Sequence, residues 1–150
     1  MPNIKKIDVT SKTIYGLKTR TKNADEMNVD TQKIAPLWGK FYEEVVPKLQ
    51  EGTQFYGLYS GYESDASGMF DVLVGSEQES EGLDSITLQE GRYLRFPAHG
   101  QMPQAIIDAW NQVWAYFEDP SIDERRAYET DFEHYISEDE AHIYIGVHYF

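Results

Sequence analysis

The chain has 150 residues, enough for one domain with a proper core, and its 41% apolar and 14% aromatic content excludes a disordered polymer. Acidic residues outnumber basic ones by 26 to 13, and a net charge of −13 repels phosphate backbones, so no direct nucleic-acid binding is expected. Cysteine is absent, which removes disulfides, thiol catalysis and thiolate metal sites together.

In chain order, the amino terminus Met1-Pro2-Asn3-Ile4-Lys5-Lys6 lacks the apolar core of a secretory signal, and no apolar run is long enough to span a bilayer. A cytoplasmic protein without membrane contact is the expectation. An extended segment over residues 4–22 breaks at Lys22-Asn23-Ala24-Asp25. Asp30 and Thr31 offer an N-cap to a helix on which Ile34, Leu37, Trp38, Phe41, Val45 and Leu49 recur at helical spacing. Pro36 suits its first turn, Pro47 belongs near its end, and Gly52 closes the segment. Two strands follow, residues 54–62 and 69–75, joined into a hairpin by the polar turn 63–68.

The second half repeats this order. An extended segment over residues 83–97 alternates at Ile86, Leu88, Tyr93 and Leu94, with a break at Gly91. A helix opens at Met102-Pro103, carries Ile106, Trp110, Val113, Trp114 and Phe117, and stops at Asp119-Pro120. Strands 128–136 and 141–150 flank the turn 137–140. Each half therefore reads strand–helix–strand–strand, with repeat one over residues 1–78 and repeat two over 79–150 of a single domain, 1–150. Superposing the helices sets Trp38 over Trp110 and Phe41 over Val113. The expected fold class is α+β: two such repeats joined in one antiparallel sheet with two main helices on one side, pseudo-two-fold, with a central groove suited to a ligand.

The order and spacing of several strings resemble the gyrase-inhibitor-like (GyrI-like) effector-binding domain in its stand-alone form. They are Leu37-Trp38-Gly39-Lys40-Phe41, the hairpin from Tyr56-Gly57-Leu58-Tyr59 to Val72-Leu73-Val74-Gly75, Tyr93-Leu94-Arg95-Phe96, the helix with Trp110 and Trp114, and Asp131-Phe132-Glu133-His134-Tyr135. The resemblance implies an eight-stranded sheet built from two repeats. It also implies that the glutamate of Phe132-Glu133-His134-Tyr135 lies at the floor of an aromatic pocket, paired with lipophilic cations. Strand alternation taken alone says otherwise. It sets Phe132, His134 and Ile136 on one face and Asp131, Glu133, Tyr135 and Ser137 on the other, which would leave Glu133 in water. The resemblance, not the alternation, carries the assignment.

The ligand-binding residues expected are Glu133 with Trp38, Trp110, Tyr59 and Tyr144. Trp38 and Trp110 serve either as core or as the two flanks of the groove, while Phe41 reads as core. A carboxylate hidden among rings has a raised pKa, and the rings add cation–π attraction of about 0.5–2 kcal/mol per good contact. The partner expected is a lipophilic cationic small molecule, with a protein partner or a homodimer also open. Hydrolysis of small electrophilic compounds with Glu133 as base, and protein inhibition through an acidic surface, are the competing readings. No cofactor and no metal are expected. His134, His142 and His148 could in principle meet on the last hairpin but lack ligand spacing.

Overall fold

The computed structural model of the chain describes residues 4–64 and 67–149. The first three residues, Phe150, and Asp65 and Ala66 of the expected hairpin turn lie outside the described residues. Eight strands and three helices follow one another as β1 (Lys5–Val9), β2 (Lys12–Lys22), α1 (Asn23–Glu26), α2 (Ile34–Glu44), β3 (Phe55–Ser60), β4 (Met69–Ser76), β5 (Asp84–Leu88), β6 (Gly91–His99), α3 (Gln104–Glu118), β7 (Glu124–Ser137) and β8 (Glu140–Tyr149). The fold is α+β with a single antiparallel sheet, as its element order implies. Each half, however, opens with two strands rather than one: the extended segments 4–22 and 83–97 both fold into a pair.

The first main helix is shorter than its apolar spacing suggests. It ends at Glu44 and passes into a 3-10 turn over Val46–Lys48, because Pro47 has no N–H for an α-helical bond and its ring crowds the preceding turn. Asp30 and Thr31 do not cap it. The Glu26 carboxylate, held on the single-turn α1, accepts from the N–H groups of Lys33 and Ile34 at 2.9 and 3.1 Å and satisfies the helix start from a distance in sequence.

The sheet order is β1-β6-β8-β7-β3-β4-β2-β5, with every neighbouring pair antiparallel. Exchanging β1–β4 for β5–β8 reverses this order and leaves it unchanged, so a pseudo-two-fold axis runs between β3 and β7. Across that seam Phe55 pairs with Tyr135, Gly57 with Glu133 and Tyr59 with Asp131. Helix α2 packs over β2 and β4, and α3 lies mainly over β6. The two central strands, β3 and β7, therefore lie between the pair of strands beneath α2 and the strand beneath α3.

Three apolar clusters hold this arrangement. Phe41, Val72 and Val74 anchor the one beneath α2, and Phe96, Val113, Ile143 and Ile145 the one beneath α3. The third lies on the other face and joins Ile14 and Leu88, from strands at one edge, to Tyr93 near the opposite edge. These groups meet only because the sheet curls on itself, which closes its second face as well. Simple alternation fails for that reason: Phe132 and Glu133 point to opposite faces, yet are 4% and 3% exposed. In β7 the register with β8 slips between Arg126 and Asp131, where Tyr128 takes a left-handed φ of 52°. The slip turns Arg126 back toward Asp131.

Candidate functional site

Glu133 sits mid-way along β7 on the helix-bearing face, directly opposite Gly57 of β3. A Cβ at Gly57 would lie 2.7 Å from Glu133 Oε1, so only glycine lets the carboxylate rest over the neighbouring strand. Three aromatic side chains close over it. The Tyr59 hydroxyl and the Trp110 indole N–H donate to Oε2 at 2.9 and 2.6 Å, and the Tyr135 hydroxyl donates to Oε1 at 2.7 Å. Trp110 also stands edge-on to Tyr59, with ring centres 5.5 Å apart. It thereby ties α3 to the cluster beneath α2.

Of the residues expected here, Glu133, Tyr59, Trp110 and Trp38 do come together, but the two tryptophans are not equivalent. Trp38 meets Tyr135 edge-on at 5.2 Å and reaches within 3.4 Å of a Cβ position at Gly57, so it props the site while Trp110 bonds to it. Tyr144 is a correction. Directly paired residues share a face, and the β8 partner of Glu133 is Ile143, while Tyr144 pairs with Phe132 and stacks on it at 4.4 Å across the sheet from the carboxylate. Adjacency of strands placed Tyr144 near; register decides the face. Tyr135 was missing from the expected set although it shares the face of Glu133 two residues on, a signal the strand period already carries. Nothing in the sequence marked Gly57. Among the described residues no three His, Asp or Glu side chains converge as a metal would need.

Burial pushes the Glu133 carboxyl above its ordinary pKa of 4.5, against the pull of its three donors. The Tyr59 and Tyr135 hydroxyls are held well above 10, first by burial and then by the carboxylate they face. The contrast with Asp131, two residues back on the same face, is informative. Asp131 is fully buried too, but it has its own cation: Arg126 donates to Oδ2 at 2.7 Å, joined by the Tyr62 hydroxyl, and the Gly146 N–H donates to Oδ1 at 2.9 Å. Arg126 in turn lies 4.5 Å over the Tyr128 ring. Asp131 and Glu133 thus lie two residues apart on one strand, both buried. One is neutralised internally by a guanidinium against an aromatic face, and the other meets neutral donors.

The family model of the integron-associated effector binding proteins, Cass2, matches residues 4–147. The chain belongs to this family. It is 42% identical, with a TM-score of 0.91, to an integron cassette protein from the mobile metagenome of Vibrio cholerae, over 97% of this chain and 95% of that one. YobU of Bacillus subtilis (strain 168), a proposed transcriptional regulator, is 26% identical over 83% of this chain and 81% of its own. The fold is shared with SAV2435, solved bound to tetraphenylphosphonium, at a TM-score of 0.74 and 21% identity over 97% and 94% of the two chains. The GyrI-like effector-binding fold read from the sequence is therefore the one this member of the Cass2 family adopts.

Proposed function

We propose that the chain captures lipophilic cations in the groove between α2 and α3, with Glu133 as counter-ion and Trp38, Tyr59, Trp110 and Tyr135 as its aromatic walls. The observation that carries this reading is the unneutralised buried carboxylate. A buried anion without a cation is costly, and among the described residues Asp131 has a cation partner and Glu133 has none. A cation brought by a ligand completes for Glu133 the pairing that Arg126 makes for Asp131. The tetraphenylphosphonium ligand of SAV2435 has the matching chemistry, a positive charge shielded by rings. The aromatic donors occupy both oxygens of Glu133, so a bulky cation enters by parting the Trp110 and Tyr135 rings. Broad, movable rings select for charge and hydrophobic bulk more than for outline.

Calorimetric titration with tetraphenylphosphonium and with the neutral triphenylphosphine oxide tests this in the wild type and in Glu133→Gln. The variant should lose about 2–5 kcal/mol of affinity for the cation and little for the neutral compound. Equal losses for both would reject the charge pairing.

A further inference from the structure

The opposite face of the sheet carries a second cleft of about 240 Å³, walled by Tyr56, Phe132, His134 and Tyr144 and rimmed by the β1–β2 connection at Thr10 and by Lys12. It is built from the same two central strands as the Glu133 groove, but from residues of the other parity, so the sheet itself separates the two. Its rings form two parallel stacks, Tyr56 with His134 at 4.5 Å and Phe132 with Tyr144 at 4.4 Å. In each stack one ring is buried and the other, His134 or Tyr144, is only partly covered. Half-covered rings beside an open cleft present flat apolar surface to a further ring. The volume falls below the range of about 300–1,000 Å³ usual for drug-sized ligands, so one or two fused rings fit and a tetraphenyl cation does not.

The charges around the cleft are resolved unevenly. Tyr56 donates its hydroxyl to Glu77, Asp8 lies 3.5 Å from Arg92, and Glu140 lies 3.8 Å from His142. Lys12 has its ammonium 5.9 Å from the centre of the Tyr56 ring and, among the described residues, no carboxylate partner. Burial is the main cause that lowers the His134 imidazole, and Lys12 pulls it further down against an opposing pull from Glu77. In a chain of net charge −13, a cationic spot over stacked rings is the reverse of the general surface.

We propose that this cleft is a second small-molecule site that takes a planar aromatic carboxylate of one or two rings, its ring laid against His134 and Tyr144 and its carboxylate on Lys12. The site stands independently of the Glu133 groove and of the ligand proposed there. The probe is 2-naphthoate, with the neutral 2-naphthamide as control, followed by calorimetry and by amide shift mapping of the full chain. The acid should bind saturably, shift amides of β1, β7 and β8 around the cleft, and weaken about tenfold in Lys12→Met, a loss of about 1.4 kcal/mol. Tyr144→Leu, which keeps apolar bulk but removes the ring, should weaken acid and amide alike. Glu133→Gln should leave naphthoate binding unchanged, and tetraphenylphosphonium should not displace it. The proposal is overturned by an absence of saturable binding, by equal affinity of acid and amide, or by competition with the phosphonium.

Discussion

Replacing Glu133 by glutamine should make the protein more stable at neutral pH, because the amide keeps the shape of the site and discards its uncompensated charge. Trp110 can only donate, so the glutamine carbonyl must take the place of Oε2, where it accepts from Trp110 and Tyr59. The amide NH2 then faces Tyr135, whose hydroxyl turns from donor to acceptor. Against this exchange stand two opposing energies. Each donor loses about 1 kcal/mol on meeting a neutral rather than a charged acceptor, about 3 kcal/mol for the three bonds. Relief from burying an unpaired ion returns several kcal/mol, about 5. The surplus of about 2 kcal/mol agrees in sign with the raised carboxyl pKa, which means that burial outweighs the donors.

It corresponds to a rise in Tm of about 4–8 °C for a chain of this size. The gain must also depend on pH in one direction. With a raised native pKa, the stabilising effect of the proton on wild-type Glu133 is fully present below 4.5 and is lost as pH rises through the native value. The variant carries no such proton, so the two proteins should differ little in acid and diverge toward neutrality. Thermal unfolding followed by circular dichroism across that range is the assay. A variant less stable than wild type at neutral pH, or a difference that does not change with pH, refutes the reasoning.

The same titration should set the uptake of the proposed cation. Affinity for tetraphenylphosphonium should climb as pH rises from 4.5 through the raised pKa and then level off, with protons released on binding; calorimetry in buffers of differing ionisation enthalpy would show this, and a flat profile would contradict it. Arg126→Met should cost about 3–5 kcal/mol in urea unfolding, because it strands the fully buried Asp131 without its cation; adding Asp131→Asn should recover a large part, and full additivity of the two losses would argue against the pair.

How much of this was legible beforehand follows from what each element depends on. The two main helices and the inner strands of both halves were visible because Trp110 and Val113, or Val72 and Val74, fall on faces set by local periodicity, while the single-turn α1 falls where the sequence reads as a break. The split of residues 4–22 into β1 and β2 was not, since both pieces are extended and only their pairing with different strands separates them. The start of α2 was misread because its cap is Glu26, seven residues before Lys33, rather than a neighbouring Asp or Thr. Glu133 could be found only by resemblance, as alternation treats one face of β7 as wet and the curl of the sheet makes both faces dry. Tyr144 was misplaced for a related reason: nothing local records whether β8 pairs Tyr144 or Ile143 with the acid.

The strand order is a palindrome, yet the anion at its centre has no twin. Where β7 bears Glu133, the residue facing it from β3 is Gly57, which brings no side chain to the seam. A duplicated scaffold has in this way become lopsided at its midline. Even a guest with the symmetry of a tetrahedron meets unlike walls on its two sides, the indole N–H of Trp110 on one and the packed edge of Trp38 on the other. For the cation proposed above, the two halves of the fold therefore offer different contacts, one that bonds and one that packs.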